Sequence, residues 1–389
     1  MLTEAASEDT STSQSTRFWT APDRRALGKI LLLALSSLCV LFLLDAAMFR
    51  TGLYARYLEP ASYAGNFESV LAAGRQKEFT KPHHVLVLGD SQIGEGFSAQ
   101  IADETGLHAG WEFFNAAVGG AAMRCWYYMV RDLDPDRTRF DVIVLPLRGY
   151  ADVDDAEIHA DRDDLRWVIA RVRLSDIAEF SGSFPTPLIK LSVLREALFK
   201  GLIYRRDLRE FLRDPAERMQ RVKDCRAACA DSFYGYPGRT ENLSGVWMDW
   251  ATDTLHFPEG VSPQVQAEMK LHTHFRLWSV RGPERAYRTA WLGRIIERYR
   301  GTRTRIALIS VPYRPFSIPF SWPAGADSFA ALASRNPRVA VLNEHLFEDL
   351  EKPDLFFDVF HLNRTGRALF SNRLATALMR RFGTGNSPQ

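Results

Sequence analysis

A doubly wound α/β fold, built on a parallel sheet of five strands, is predicted by three features of the sequence. Five short runs of Val, Ile, Leu and Phe recur along the chain, several ending in Gly, Asp, Asn or Ser. Runs without polar alternation suit strands buried on both faces, the condition of a parallel sheet between helix layers. Helical periodicity fills the intervals, which are long enough for crossovers. Composition agrees: 46% of the 389 residues are hydrophobic and 25% charged, which excludes a disordered, collagenous or disulfide-stapled chain.

Ahead of the sheet, residues 1–26 are mostly small and polar and read as a disordered tail. Leu27 to Phe49 follows, apolar on every side, with Lys29 and Asp45 its only charges. At ~1.5 Å per residue it reaches across a ~30 Å hydrocarbon core and predicts one membrane-spanning helix. A cleaved signal peptide is disfavoured by the long polar leader and the lack of a small-x-small pattern around Asp45-Ala46-Ala47. Leu38 before Cys39 likewise does not suit a lipoprotein cysteine. Arg17, Arg24, Arg25 and Lys29 outweigh Arg50 and Arg56, so the tail is expected on the cytoplasmic side and the rest outside. A mean hydropathy of -0.20 excludes a many-spanning transporter, and a net charge of +2 gives no electrostatic case for nucleic acid. Residues 50–81 read as a linker or stalk.

The first strand is expected at His84 to Leu88, ending in Gly89-Asp90-Ser91, with a helical stretch through Ile101 to Glu104. Trp111 to Asn115 supplies the second, followed by Ala116-Ala117-Val118-Gly119-Gly120 and a helix from Ala121 to about Leu133. Asp141 to Leu145 is the clearest buried strand, and Arg305 to Ile309 and Val339 to Leu342 supply the last two. The interval 152–302 is too long for a loop. Arg166 to Glu179, Leu188 to Phe211 and Pro215 to Ala230 look helical, Tyr234 to Pro258 irregular, and a return helix ends near Tyr299. This insertion is a candidate lid or recognition surface, or a cap over one sheet face. A last amphipathic helix runs to about Arg381, and residues 382–389 read as a flexible end.

Gly89-Asp90-Ser91 after a strand exposes a hydroxyl on a tight turn beside backbone donors, although a plain turn with a helix cap has the same residues. Asp358 three residues before His361 can hold the imidazole by one nitrogen and leave the other facing a hydroxyl. That is the logic of serine acyl transfer, in which the base takes the Ser proton and returns it to the leaving group.

Gly89-Asp90-Ser91, Asn115 to Gly120 and Asp358-x-x-His361 together resemble the SGNH/GDSL hydrolase superfamily over residues 82–151 and 303–381, leaving the insertion unmatched. The resemblance implies a doubly wound, flavodoxin-like sheet of the SGNH hydrolase type, to which the residues add a large mostly helical insertion after the third strand. It implies Ser91 as nucleophile, His361 as general base, Asp358 as its orienting acid, and the N–H groups of Ser91 and Gly120 as an oxyanion hole. No cofactor or metal is implied. The third motif departs from the family: Gly149-Tyr150-Ala151-Asp152 has Ala where an Asn usually donates to the oxyanion, a loss of ~3 kcal/mol unless Arg148 or part of the insertion replaces it. Asp90, Arg148 and Arg124 are candidates for substrate binding.

With the membrane segment, His361-Leu362-Asn363-x-x-Gly366 is similar to anchored extracytoplasmic members that work beside membrane-bound O-acyltransferases in alginate acetylation and in D-alanyl transfer to teichoic acid. This narrower resemblance implies O-acyl transfer onto, or ester removal from, a cell-surface polysaccharide or wall polymer. A bacterial-type cytoplasmic membrane with the domain on the periplasmic side is the expected location. A non-catalytic accessory protein that binds polymer or a membrane-bound acyltransferase remains the alternative.

Other patterns have bland readings. The acidic run Asp152, Asp154, Asp155, Glu157, Asp161, Asp163 and Asp164, with His159 inside it, lacks a calcium loop's Gly and terminal Glu and reads as solvated. His272 and His274 make an incomplete metal site, and no paired Cys-x-x-Cys supports zinc. Cys225 and Cys229 bridge only if their backbone is irregular, and Cys125 reads as a buried thiol. Trp247, Trp250, Phe257 and Trp278 can stack on sugars but by default pack within the insertion. Trp126 and Tyr127 either border the site or form a helix face.

Overall fold

The computed structural model describes residues 24–148, 163–316 except 185, 253 and 274–282, and 336–383 except 344. Its strands are β1 His83–Val87, β2 Trp111–Asn115, β3 Val142–Arg148, β4 Trp247–Asp249, β5 Thr254–His256, β6 Arg305–Val311 and β7 Val339–Val341. Five of them form an all-parallel sheet in the order β2-β1-β3-β6-β7, and β4 and β5 pair as a separate antiparallel hairpin. The order reverses between β1 and β3, so a crevice is expected at the carboxyl end of β1.

The helices among the described residues are α1 Arg24–Phe49, α2 Tyr63–Gln76, α3 Ser91–Gly96, α4 Ala99–Gly106, α5 Met123–Leu133, α6 Asp163–Val168, α7 Ile177–Gly182, α8 Pro187–Leu198, α9 Gly201–Arg213, α10 Pro215–Gly235, α11 Pro263–Thr273, α12 Pro283–Arg298 and α13 Arg364–Phe382. Alternate strand residues feed two cores. Val85, Val87, Val144, Ala307 and Ile309 pack with α3, α4, α13, the hairpin and α11. Leu86, Leu88, Ile143, Leu145 and Leu308 pack on the other face with α2, α5, α12 and the insertion helices α6 to α9. Continuous apolar runs are therefore used as a two-faced sheet requires.

Residues 50–81, expected as a stalk, contain α2, whose Phe67, Val70 and Leu71 are fully buried in the second core. Their i, i+3, i+4 spacing is a helix stripe, and it makes this segment part of the domain. The helix expected from Leu188 to Phe211 is broken between α8 and α9. Asp45 sits at the break: its carboxylate accepts the N–H of Lys200 at 3.1 Å and of Gly201 at 2.7 Å, capping α9 from the end of α1. Arg50 continues the joint by donating to the last carbonyls of α8, Ala197 at 2.6 Å and Leu198 at 2.8 Å. Phe49 stacks on Tyr204 below them, with ring centres 5.1 Å apart.

Most of the rest of α1 is exposed, and the helix is long and apolar enough to cross a membrane. The stretch Arg166 to Glu179 is also divided, between α6 and α7. The helix α10 runs through both Cys225 and Cys229, whereas Cys125 is fully buried.

Candidate active site

Ser91 owes its position to the turn before it. A Cβ on Gly89 would lie 2.4 Å from Cβ of Ile93, so only glycine lets the chain fold back onto α3 there. Asp90 then caps α3, with Oδ1 accepting the N–H of Gln92 at 2.9 Å, and Ser91 is the first helical residue. Its N–H has no acceptor within so short a helix.

The segment after β2 is laid beside this turn by backbone bonds from Ala116 to the carbonyl of Val87 at 2.8 Å and from Val118 to that of Gly89 at 3.0 Å. Asn115 braces it: Nδ2 donates to the carbonyls of Phe97 at 2.9 Å and Ile93 at 3.3 Å, and Oδ1 accepts the N–H of Ala117 at 3.0 Å. The chain then turns at Val118 to Ala121, with Gly120 exposed at a φ of 72°, a conformation that favours glycine. The backbone N–H groups of Ser91 and Gly120 donate to no backbone carbonyl among the described residues.

His361 and Asp358 come from a loop closed by a bridge between Phe356 and Leu362 and by the N–H of Phe357 donating to the carbonyl of His361 at 3.0 Å. Within it, Oδ1 of Asp358 accepts the N–H groups of Phe360 and His361, each at 2.8 Å. The same carboxylate meets Nδ1 of His361 at 2.8 and 2.9 Å, and Nε2 of that ring lies 2.9 Å from Oγ of Ser91. Burial raises the Asp358 pKa, but the His361 hydrogen bond and charge, with the two backbone donors, outweigh it and leave the carboxyl below its ordinary value. An ionised carboxylate only accepts, so Nδ1 carries the imidazole proton and Nε2 offers a lone pair to the Ser91 hydroxyl. Asn363, not Asp358, caps α13, its Oδ1 accepting the N–H groups of Thr365 and Gly366 at 3.1 Å each.

Residues not singled out in the sequence complete the frame. Phe357 stacks on the imidazole, with centres 5.5 Å apart and planes at 14°. Gln92 ties the helix of Ser91 to the His361 loop and to the exit of β6, donating to the carbonyls of Phe360 at 3.4 Å and Tyr313 at 3.3 Å. Arg239, from the insertion, lies over Phe357 at 5.0 Å and accepts the N–H of Arg364 on its carbonyl at 2.6 Å. Gln92, a polar residue next to the candidate nucleophile Ser91, carried the only sequence signal among these.

The other candidates separate. Asp90 is buried as the cap of α3. Arg148 ends β3, but its side chain lies outside the described residues, as do Gly149 to Asp152, His159, His272, His274 and Trp278. Arg124 is 1% exposed: it pairs with Asp164, bonds Ser183 and lies 3.9 Å over Phe184. It therefore joins α5 to the insertion in the core, which corrects both its reading as a substrate contact and the solvated reading of Asp164. Trp126 is buried as well, so it belongs to the helix face. Trp247 and Trp250, expected to pack, are about half exposed on the β4–β5 hairpin, where Trp247 stacks on His256 at 3.9 Å. The chain just before that hairpin is held by Leu243, whose N–H reaches the carbonyls of Pro353 and Phe356 beside the His361 loop. The chain matches no protein-family model and no curated protein.

Proposed function

We propose that this chain is a membrane-anchored serine O-acyltransferase or esterase of the SGNH type, working outside the cytoplasmic membrane through an acyl-Ser91 intermediate. The observation that carries the reading is the continuous hydrogen-bonded path from Asp358 through both nitrogens of His361 to Oγ of Ser91. In this reading Nε2 of His361 takes the Ser91 proton as Oγ attacks an ester carbonyl, and Asp358 stabilises the imidazolium so formed. The N–H groups of Ser91 and Gly120 receive the oxyanion. The proton returns to the departing alkoxide, and the acyl group passes to a second hydroxyl or to water.

A cell-surface polysaccharide or wall polymer as substrate, with acetyl as the acyl group, is supported by the resemblance to anchored acylation proteins and by the exposed Trp247 and Trp250, which suit stacking on sugar rings and follow Leu243, bonded to the carbonyl of Phe356. A membrane-bound O-acyltransferase is the partner this role calls for. The alternative, an accessory protein without catalysis, gives no reason for the path from Asp358 to Ser91.

Labelling of the full chain with a fluorophosphonate tests the proposal. Wild type is expected to label at Ser91 and Ser91→Ala not to label; a folded wild type that stays unlabelled overturns it. Product analysis with an acyl donor and a glycan acceptor then separates the two activities, since free acid alone at saturating acceptor means hydrolase.

A further inference from the structure

A cavity of about 820 Å³, with none of the residues of the Ser91 site in its wall, is lined by seven cationic side chains and one carboxylate, that of Asp132. Four of the cations reach a carboxylate, Arg75 and Arg173 only distantly, at 4.0 and 3.9 Å from Asp132. Arg171 pairs with Glu68, and Arg131 with Asp132 and Asp176, each at 2.8 Å. Three others have donors only on backbone carbonyls among the described residues: Arg50 on Ala197 and Leu198, Arg139 on Leu133, Gly74 and Lys77, and Lys200 on Ala170 at 3.2 Å. Nε of Arg50 is buried with no partner, and Lys200 is 1% exposed. Carbonyls orient such groups but do not neutralise them, so the wall holds like charges together in a partly dry place.

The cost is visible in one group. Burial first, and then the charges of Arg50 and Arg171, push the Lys200 ammonium down to about 7. An anion with several acceptor oxygens would relieve this, and guanidinium forks match a phosphate.

The position of the cavity says which anion. Arg50 is the residue after the last turn of α1, and Asp45 within α1 bonds the backbone of Lys200. The cavity thus opens at the level where the apolar helix ends, which in a bilayer is the level of the headgroups. Leu174, in the same wall, is 55% exposed and offers an apolar rim. We propose that this cavity binds the phosphate of an anionic lipid headgroup, with Lys200, Arg50 and Arg173 as its cationic partners. The site seats the domain on the bilayer and is independent of the chemistry at Ser91.

The test uses the full chain in neutral maltoside micelles at pH 7, with thermal midpoint as readout. Dihexanoyl phosphatidylglycerol is expected to raise the wild-type midpoint along a saturating curve, and the half-saturating concentration is expected to rise at least about tenfold in Lys200→Gln and Arg173→Gln. Arg173 is largely exposed, so its variant keeps the test alive if Lys200→Gln folds poorly. Arg209→Gln, an exposed residue outside the cavity, is expected to bind as wild type. Dihexanoyl phosphatidylcholine, whose choline the wall repels, and inorganic phosphate are expected to leave the midpoint in place. No shift with phosphatidylglycerol, or an equal loss in Arg209→Gln, overturns the site. An equal shift with inorganic phosphate overturns the lipid assignment.

Discussion

Replacing Asp358 by Asn tests what the carboxylate does, because the loop dictates how the new amide must sit. Oδ1 accepts two backbone N–H groups and lies 2.9 Å from Nδ1 of His361, whereas Oδ2 meets Nδ1 alone, at 2.8 Å. An Asn oxygen will keep the place with two donors, which turns the NH2 toward Nδ1. Nδ1 then becomes the acceptor, the proton moves to Nε2, and Ser91 faces a donor where it needs a base. Opposing the wrong tautomer costs about 1.5–3 kcal/mol, and losing the charge opposite the imidazolium costs about the same again. Together they slow acylation by roughly 10²–10⁴-fold. The backbone bonds survive in the variant and Asn363 still caps α13, so stability should change by no more than about 1 kcal/mol. The assay is the rate of Ser91 labelling beside the thermal midpoint of both proteins. A rate within about threefold of wild type, in a folded variant, would refute the reasoning and leave at most a dyad of Ser91 and His361.

Arg124→Gln removes the cation against which Asp164 is buried and is expected to destabilise by about 3–5 kcal/mol, read as a lowered denaturant midpoint. Lys200, held at about 7, has released a proton that the unfolded chain keeps up to its ordinary value near 10.5. Stability therefore rises with pH across that window, by up to about 1.4 kcal/mol per unit, and the advantage of Lys200→Met over wild type should shrink accordingly in thermal melts from pH 7 to 10. Gln92→Leu removes the tie between the Ser91 helix and the His361 loop; because Oε1 of Gln92 is buried without a partner among the described residues, the change should be nearly neutral for stability yet slow labelling about tenfold.

Strands were legible because a sheet buried on both faces needs nothing from distant sequence beyond continuous apolar runs, and all five runs became strands. The placement of Ser91, Asp358 and His361 was legible for a related reason: each sits on a turn written in its immediate neighbours, Gly89 before one and the Asp358 loop around the others. What stayed hidden depends on partners far along the chain. Asp164 looks solvated until Arg124 of α5 is set against it, and the break after Phe199 is invisible without Asp45. The helix α2 was missed because its few apolar residues lie between a membrane segment and a strand, where a spacer was expected. Trp247 and Trp250 erred in the other direction, since aromatic residues default to burial and these lie on a short hairpin at the surface.

Asp45 changes what the anchor is mechanically. A flexible tether would let the domain sweep through a hemisphere above the bilayer, and its reach would grow with every residue added to it. Here the residues at the end of the apolar helix are keyed into α8 and α9, with Phe49 lodged in the domain core. In the proposed role the joint behaves as a mast stepped into a deck: with α1 across a bilayer, Ser91 is held at one altitude and one bearing, and a substrate must be brought there. Cutting the chain between Asp45 and Tyr54 would accordingly expose apolar core and uncap α9, so the apolar helix and the domain are best regarded as one cooperative body.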